Sequence, residues 1–239
     1  MIFRQLFDLE SSTYTYLLAD ETSREAIFID PVLGQMFTYQ ALLSQLGLTL
    51  KLALDTHVHA DHVTALGKLH ELTGCQSMPG RESQVPCASA LFQDGQVLSA
   101  GSIELTALFT PGHTSDSYCF YLPDLGMVFT GDTLLIRGTG RTDFQNGDAA
   151  TQYRSLKHKL LTLPADTRVY PGHDYKGWTV STIAEEIAHN SRLQVADQAA
   201  YVELMAGLKL PDPRQMDLAI PANRACGGAP AARAEAQNG

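Results

Sequence analysis

The stretch Thr56-His57-Val58-His59-Ala60-Asp61-His62 constrains this chain more than any other. Three imidazoles and a carboxylate fall within six residues, directly after the apolar run Lys51-Leu52-Ala53-Leu54-Asp55. The order predicts a strand that ends in a loop of metal-ligand side chains, then a helix from about Val63 to Leu72. Imidazole and carboxylate are ligands for zinc, iron and manganese. While the chain stays extended, alternation turns His57, His59 and Asp61 to one side, and a bend then brings in His62. The competing reading is a polar loop that happens to be rich in histidine. With 8 His among 239 residues, such spacing by accident is improbable.

The length suits one large α/β domain or two small ones. Hydrophobic residues make up 44% and charged residues 18%, so the chain can bury a sizeable core. The net charge of −9 argues against nucleic acid and against an anionic membrane as partners. A few local arginines could still hold an anionic small molecule. The four cysteines, Cys75, Cys87, Cys119 and Cys226, include no C-x-x-C pair. They read as free thiols in a reducing compartment. No apolar run reaches the roughly 18 residues needed to span a bilayer. Residues 1–7 alternate like a strand and lack the shape of a signal peptide. These features point to a soluble cytoplasmic protein.

Alternation predicts strands over 2–7, 13–19 and 25–29, the last closed by Asp30-Pro31. A helix is expected over Met36–Leu46, with Phe37, Ala41, Leu42 and Gln45 on one face and Gly47 as its stop. A buried strand at 50–55 leads into the histidine loop, and Gly74 ends the helix that follows. Short strands return before Phe109, the clearest at 103–109, and a hairpin pairs 117–122 with 126–130. Asp148 reads as the N-cap of a helix reaching about Leu161, with Leu156, Leu160 and Leu163 inward. A strand at 168–170 precedes two helices near 179–190 and 194–206. His70, His158 and His189 fall on expected helices and read as surface or ordinary core residues. Residues 1–226 read as one domain and 227–239, made of Ala, Gly, Pro and polar residues, as a flexible C-terminal tail with no core to bury. Strand, helix, strand in each half suggests an α/β fold of two sheets covered outside by helices.

Three later loops share one design: an apolar strand, a tight turn, then a ligand-type residue. They deliver His113, Asp132 and His173, each preceded by a glycine, Gly112, Gly131 and Gly172. Glycine lets the backbone turn sharply and approach closely. A rigid strand end with a free loop is a common place for a functional site. Alone, each of these residues is more simply a turn or cap. Together with the first cluster they form one constellation.

The order His-x-His-x-Asp-His, then His, Asp and His, resembles the metallo-β-lactamase fold superfamily over about residues 1–210. All seven motif positions are filled: His57, His59, Asp61, His62, His113, Asp132 and His173. The resemblance implies an αββα sandwich, two mixed sheets with helices on the outer faces and a metal site at one edge. Its hydrolases place one metal on His57, His59 and His113 and a second on Asp61, His62 and His173, with Asp132 bridging. Another branch holds a single iron on His57, His113 and Asp132. The segment Thr133-Leu134-Leu135-Ile136-Arg137-Gly138-Thr139-Gly140-Arg141-Thr142-Asp143-Phe144-Gln145 resembles the persulfide dioxygenases of that branch. So do the first motif, which carries Val58 between its histidines, and the ending Tyr170-Pro171-Gly172-His173-Asp174-Tyr175. Glyoxalase II would show a third histidine in place of Val58 and a larger helical C-terminal part than about two helices.

That resemblance implies a mononuclear Fe(II) enzyme that converts glutathione persulfide, O₂ and water into glutathione and sulfite, and a homodimer. Two His and one carboxylate on one face of an octahedral ion leave three positions open. His59, Asp61, His62 and His173 would then surround the ion and orient its ligands. Glutathione carries two carboxylates, and Arg grips a carboxylate with two parallel hydrogen bonds. Arg141 is therefore a candidate for substrate binding. Tyr175 and Arg192 match glutathione-contacting positions of the family, and Thr114 follows His113 closely enough to add a hydroxyl or a backbone group. The alternative function is a dinuclear zinc hydrolase of glutathione thioesters.

Overall fold

The computed structural model describes residues 1–211 and 215–228. Its first sheet runs β1 (Ile2–Asp8), β2 (Thr13–Ala19), β3 (Glu25–Ile29), β4 (Thr49–Leu54) and β5 (Gln76–Met78) in that order. The first two pairings are antiparallel and the next two parallel. The second sheet contains β6 (Val97–Ala100), β7 (Ile103–Phe109), β8 (Tyr118–Leu122), β9 (Met127–Gly131), β10 (Arg168–Pro171) and β11 (Ser181–Thr182). Only β9 and β10 pair in parallel there. The expected α/β class with two mixed sheets is present.

Side-chain alternation explains the layers. Tyr14, Tyr16 and Leu18 of β2 face the second sheet, where they meet Leu105, Phe120, Phe129 and Tyr170. Leu17 and Ala19 point the other way, toward Tyr39 and Leu43 of α1 (Met36–Gln45) and Leu66 and Leu69 of α2 (Leu66–Thr73). Behind the second sheet, Cys119, Val128 and Val169 pack on Leu156, Leu160, Ile183 and Tyr201. Those come from α3 (Ala149–Ser155) and the wider π turn at 156–160 that continues it, α4 (Ile183–His189) and α5 (Gln198–Ala206). Among the described residues no helix is long and apolar enough to cross a membrane.

Several expectations need correction. The inward face of α1 is Tyr39 and Leu43, while Phe37 is 84% exposed. The Tyr39 hydroxyl accepts the Val32 N–H at 2.9 Å and bonds the Thr15 hydroxyl at 2.9 Å, and this buried pair sets the rotation of the helix. The helix after the histidine loop begins at Leu66 rather than Val63. Residues 63–65 first run against 31–33, with Leu33 donating to Val63 and Ala65 to Pro31. Gly74 does end that helix, at φ 70°. A third helix, α6 (Met216–Asn223), follows α4 and α5. Pro221 inside it hides its helical pattern.

The cysteines are not all free. Cys87 and Cys226 form a disulfide with Cα atoms 6.0 Å apart, whereas Cys75 and Cys119 are free and buried. A pairing across 139 residues leaves no mark in local spacing. Gly227, the first residue of the expected tail, is bonded and packed. Gly227 N–H bonds Ala222 at 2.8 Å, and a Cβ there would lie 2.1 Å from the Thr64 carbonyl. The rest of that tail lies outside the described residues.

Phe129 is fully buried and touches Phe3, Tyr16 and Tyr170 by ring contacts. Phe129→Ala is expected to lower unfolding stability by about 3–5 kcal/mol in a denaturant titration. Phe37→Ala should change it by less than about 0.5 kcal/mol, as for an exposed site. Equal losses would contradict the assigned faces.

Candidate metal centre

The histidine loop leaves β4 and is held by side chains from other strand ends. Asp30, at the end of β3, accepts the Thr56 N–H at 2.7 Å and the Thr56 hydroxyl at 2.9 Å. The Thr56 hydroxyl proton is therefore committed, and its oxygen can accept the His57 Nδ1 proton at 2.9 Å. That tautomer leaves the lone pair on His57 Nε2. His113 is fixed in the same way, because its Nδ1 donates to the Arg141 carbonyl at 2.7 Å. Its free Nε2 lies 3.5 Å from Asp132 Oδ2.

Asp132 follows β9, where Gly131 at φ 47° makes the turn against Thr56. A Cβ on Gly131 would meet the Thr56 Cβ at 2.8 Å, so only glycine fits. Gly172 gives the same close approach at the end of β10, where a Cβ would lie 2.8 Å from Asp132 Oδ1. His173 then donates from Nδ1 to Asp132 Oδ1 at 2.6 Å and from Nε2 to Asp61 Oδ2 at 2.9 Å.

Among the described residues three sets of three donors result, one of them Asp30, Asp55 and His59 and the other two drawn from the motif residues alone. Ligand atoms of His57, His113 and Asp132 lie within 4.8 Å of one another, and so do those of His59, Asp61 and His62. The sets differ in what they still offer. In the first, both histidines have their Nδ1 protons placed, and among the described residues none donates to Asp132 Oδ2. Burial, with His59 and His113 adding to it, pushes the His57 pKa well below its ordinary value. Burial works against the Asp132 carboxylate, but His173 and then His113 hold its pKa well below the usual range. Two imidazoles with Nε2 turned inward and an ionised carboxylate fit a divalent ion.

In the second set, Asp61 Oδ2 is shared by His62 Nδ1 at 2.9 Å, His173 Nε2 at 2.9 Å and the Thr13 hydroxyl at 3.1 Å. His59 Nε2 bonds Asp30 at 3.1 Å. Burial opposes charge on His59, yet Asp30, with Asp55 and Asp61, raises its pKa to about 9. His173 is likewise held well above the ordinary histidine value by Asp132 and Asp61, against the cost of burial. His59 Nδ1 and His62 Nε2 are buried without a hydrogen-bond partner.

The expected substrate residues take different places. Arg141 holds Asp143 at 2.6 and 2.8 Å, donates to the Pro211 carbonyl at 2.6 Å and lies 4.3 Å over the Phe144 ring. Arg192 donates to the carbonyl and hydroxyl of Thr139, two residues before Arg141. Tyr175 is 74% exposed, with its ring parallel to His173 and centroids 6.2 Å apart. Thr114 is buried, and its N–H, carbonyl and hydroxyl bond Ser117 and Gly112 within the His113 loop.

Sequence reasoning missed four residues here. Asp30 was read only as a strand stop, and Thr13 only as a strand residue. Asp116 accepts the Val58 N–H at 2.9 Å, and Asn223 holds the histidine loop from α6. Local patterns carry no signal for side chains that act across 48 residues or more, as Thr13 and Asp116 do.

Residues 9–88 and 88–173 match the family model described as the metallo-beta-lactamase superfamily. The mitochondrial persulfide dioxygenase ETHE1 of Homo sapiens is 47% identical over 228 residues, 95% of this chain and 89% of that one. The crystal structure of ETHE1 from Myxococcus xanthus superposes with a TM-score of 0.92 at 51% identity, covering 95% of this chain and 100% of that chain. A hydroxyacylglutathione hydrolase of Brucella anthropi is 33% identical over 204 residues, 80% of this chain and 76% of that one. With the two-sheet fold and the His57, His113 and Asp132 cluster, these matches show that the chain belongs to the metallo-β-lactamase superfamily, beside the persulfide dioxygenases.

Proposed function

We propose that this chain is a persulfide dioxygenase with one ferrous iron, converting glutathione persulfide, O₂ and water into glutathione and sulfite. The observation that carries the reading is the grouping of donors. His57, His113 and Asp132 bring their ligand atoms within 4.8 Å of one another, the set of two histidines and one carboxylate that suits a single ferrous ion. His59 Nε2 is turned to Asp30, and both nitrogens of His173 are taken by carboxylates. The relative of Homo sapiens named persulfide dioxygenase supports the same reading.

Bound there, ferrous iron would supply coordination sites for dioxygen and for a soft persulfide sulfur, and the electrons that let the two react. The protein supplies the rest. The Arg141 carbonyl and the Thr56 hydroxyl keep the His113 and His57 rings turned with Nε2 inward. His173 holds a proton at Asp132 Oδ1, which keeps Oδ2 turned to the site and charged. Tyr175, stacked beside His173, offers an aromatic face at the mouth of the site. Arg141 and Arg192 are the cations we assign to the glutathione carboxylates, and Thr114 shapes the His113 loop. A homodimer and a cytoplasmic location complete the proposal, although the Homo sapiens relative is named as mitochondrial.

The second reading is a zinc hydrolase of glutathione thioesters. It draws on the Brucella anthropi relative and on the unpartnered His59 Nδ1 and His62 Nε2. An oxygen electrode separates the two. Iron-loaded protein should consume O₂ when glutathione persulfide is added and form sulfite. Thioester hydrolysis by zinc-loaded protein, with no oxygen uptake after iron loading, would overturn the proposal.

Two substitutions separate metal from substrate. Asp132→Asn should lose iron and oxygen uptake together, seen by metal analysis of the purified protein. Arg141→Ala should keep its iron and raise KM about 10- to 100-fold, the value of one charge-assisted bidentate pair. Iron lost from Arg141→Ala would mean that Arg141 serves the His113 loop instead.

A further inference from the structure

Asn223 is 3% exposed and commits its whole amide to the histidine loop. Its Nδ2 donates to the His59 carbonyl at 2.9 Å and the His62 carbonyl at 2.8 Å. Its Oδ1 accepts the Thr64 N–H at 2.8 Å. Both amide protons and the amide oxygen are thus in use. The chain just after Asn223 lies against Val58 of the same loop and against the start of α2. Cys226 accepts the Gly67 N–H at 3.0 Å, and a Cβ on Gly67 would come within 2.5 Å of that oxygen. Val58, between His57 and His59, packs with Cys226 and Val85. Cys226 is in turn bonded to Cys87, which lies on the surface.

We propose that α6 and the turn after it form a clasp on the metal loop, with Asn223 its positioning residue and the Cys87–Cys226 bond its lock. The oxidation state of this cysteine pair then sets how firmly the metal centre is held. The proposal rests on the metal centre argued above and does not depend on the substrate. Asn223 touches no metal donor atom; it acts through the backbone of His59 and His62. With the bond intact, Cys226 cannot leave the loop unless the segment around Cys87 moves with it. A low-molecular-weight thiol opens the lock. Two thiols give up two electrons and two protons and become one disulfide, while the protein disulfide becomes the Cys87 and Cys226 thiols. Asn223 is then retained only by hydrogen bonds and packing.

The test uses the full chain loaded with Fe(II) under anaerobic conditions. Iron release is timed with a chromogenic Fe(II) chelator, and amide hydrogen exchange is followed over residues 57–67. Asn223→Ala should release iron about 10- to 100-fold faster, the range for groups that orient metal ligands. The Thr64 amide should exchange faster as well. Asn223→Asp keeps the acceptor for Thr64 but loses the two donors, so its release should stay fast. Oxidised wild type should release slowly. Dithiothreitol-treated wild type should release several-fold faster, and Cys87→Ser should be fast with or without the thiol. Cys87→Ser leaves the Asn223 hydrogen bonds in place, so it decides the matter even if Asn223→Ala fails to fold. Equal release from oxidised wild type and Cys87→Ser would overturn the lock. Wild-type release and exchange in Asn223→Ala would overturn the clasp. Neither readout uses a persulfide, so a failed oxygen assay strikes the proposed substrate and leaves this result standing.

Discussion

His173 is the joint on which the site depends. Its imidazole spans Asp132, which ends β9 of the second sheet, and Asp61, which lies in the loop after β4 of the first. Three loops from two sheets are therefore fixed by one buried group. Charge makes the joint strong: a doubly protonated ring between two ionised carboxylates loses less by burial than any of the three would lose alone. Directional bonding matters as much. Because His173 uses Asp132 Oδ1, the other oxygen of that carboxylate remains for His57 and His113 to share with an ion. Thr13 extends the joint into β2, with its hydroxyl 3.0 Å from His173 Nε2.

Directional bonds fix the other motif residues as well. His57 and His113 each have one nitrogen bonded to an oxygen and the other left inward. His59 is bonded to Asp30, and Asp61 is shared among His62, His173 and Thr13. The motif that the proposed single iron uses is thus held by hydrogen bonds, with no ligand residue lost.

Much of the fold was legible because it rests on local period. Strands β2, β3 and β7 run over the residues where alternation put them, and Asp148 caps α3 through the Thr151 N–H. The ligand-type residues were legible for a chemical reason, since His and Asp at strand ends after glycine have few other uses. What failed was long-range. The rotation of α1 depends on a Tyr39 hydroxyl bond to β2, and α6 is a short Ala- and Pro-containing helix with no apolar period of its own. The Cys87–Cys226 pairing and the Asn223 contacts join segments that local sequence treats as unrelated. The bond from the Arg192 guanidinium to Thr139 is long-range too. Such a bond depends on where α4 and α5 place the intervening chain.

The most direct test of the account is the number and position of bound metals. Crystals of iron-loaded protein measured at the iron absorption edge would show them as anomalous peaks. The account predicts one peak per chain, within coordinating distance of His57, His113 and Asp132, with His173 still bonded to both carboxylates. Two peaks bridged by Asp132, with His173 and Asp61 turned to the second ion, would contradict it.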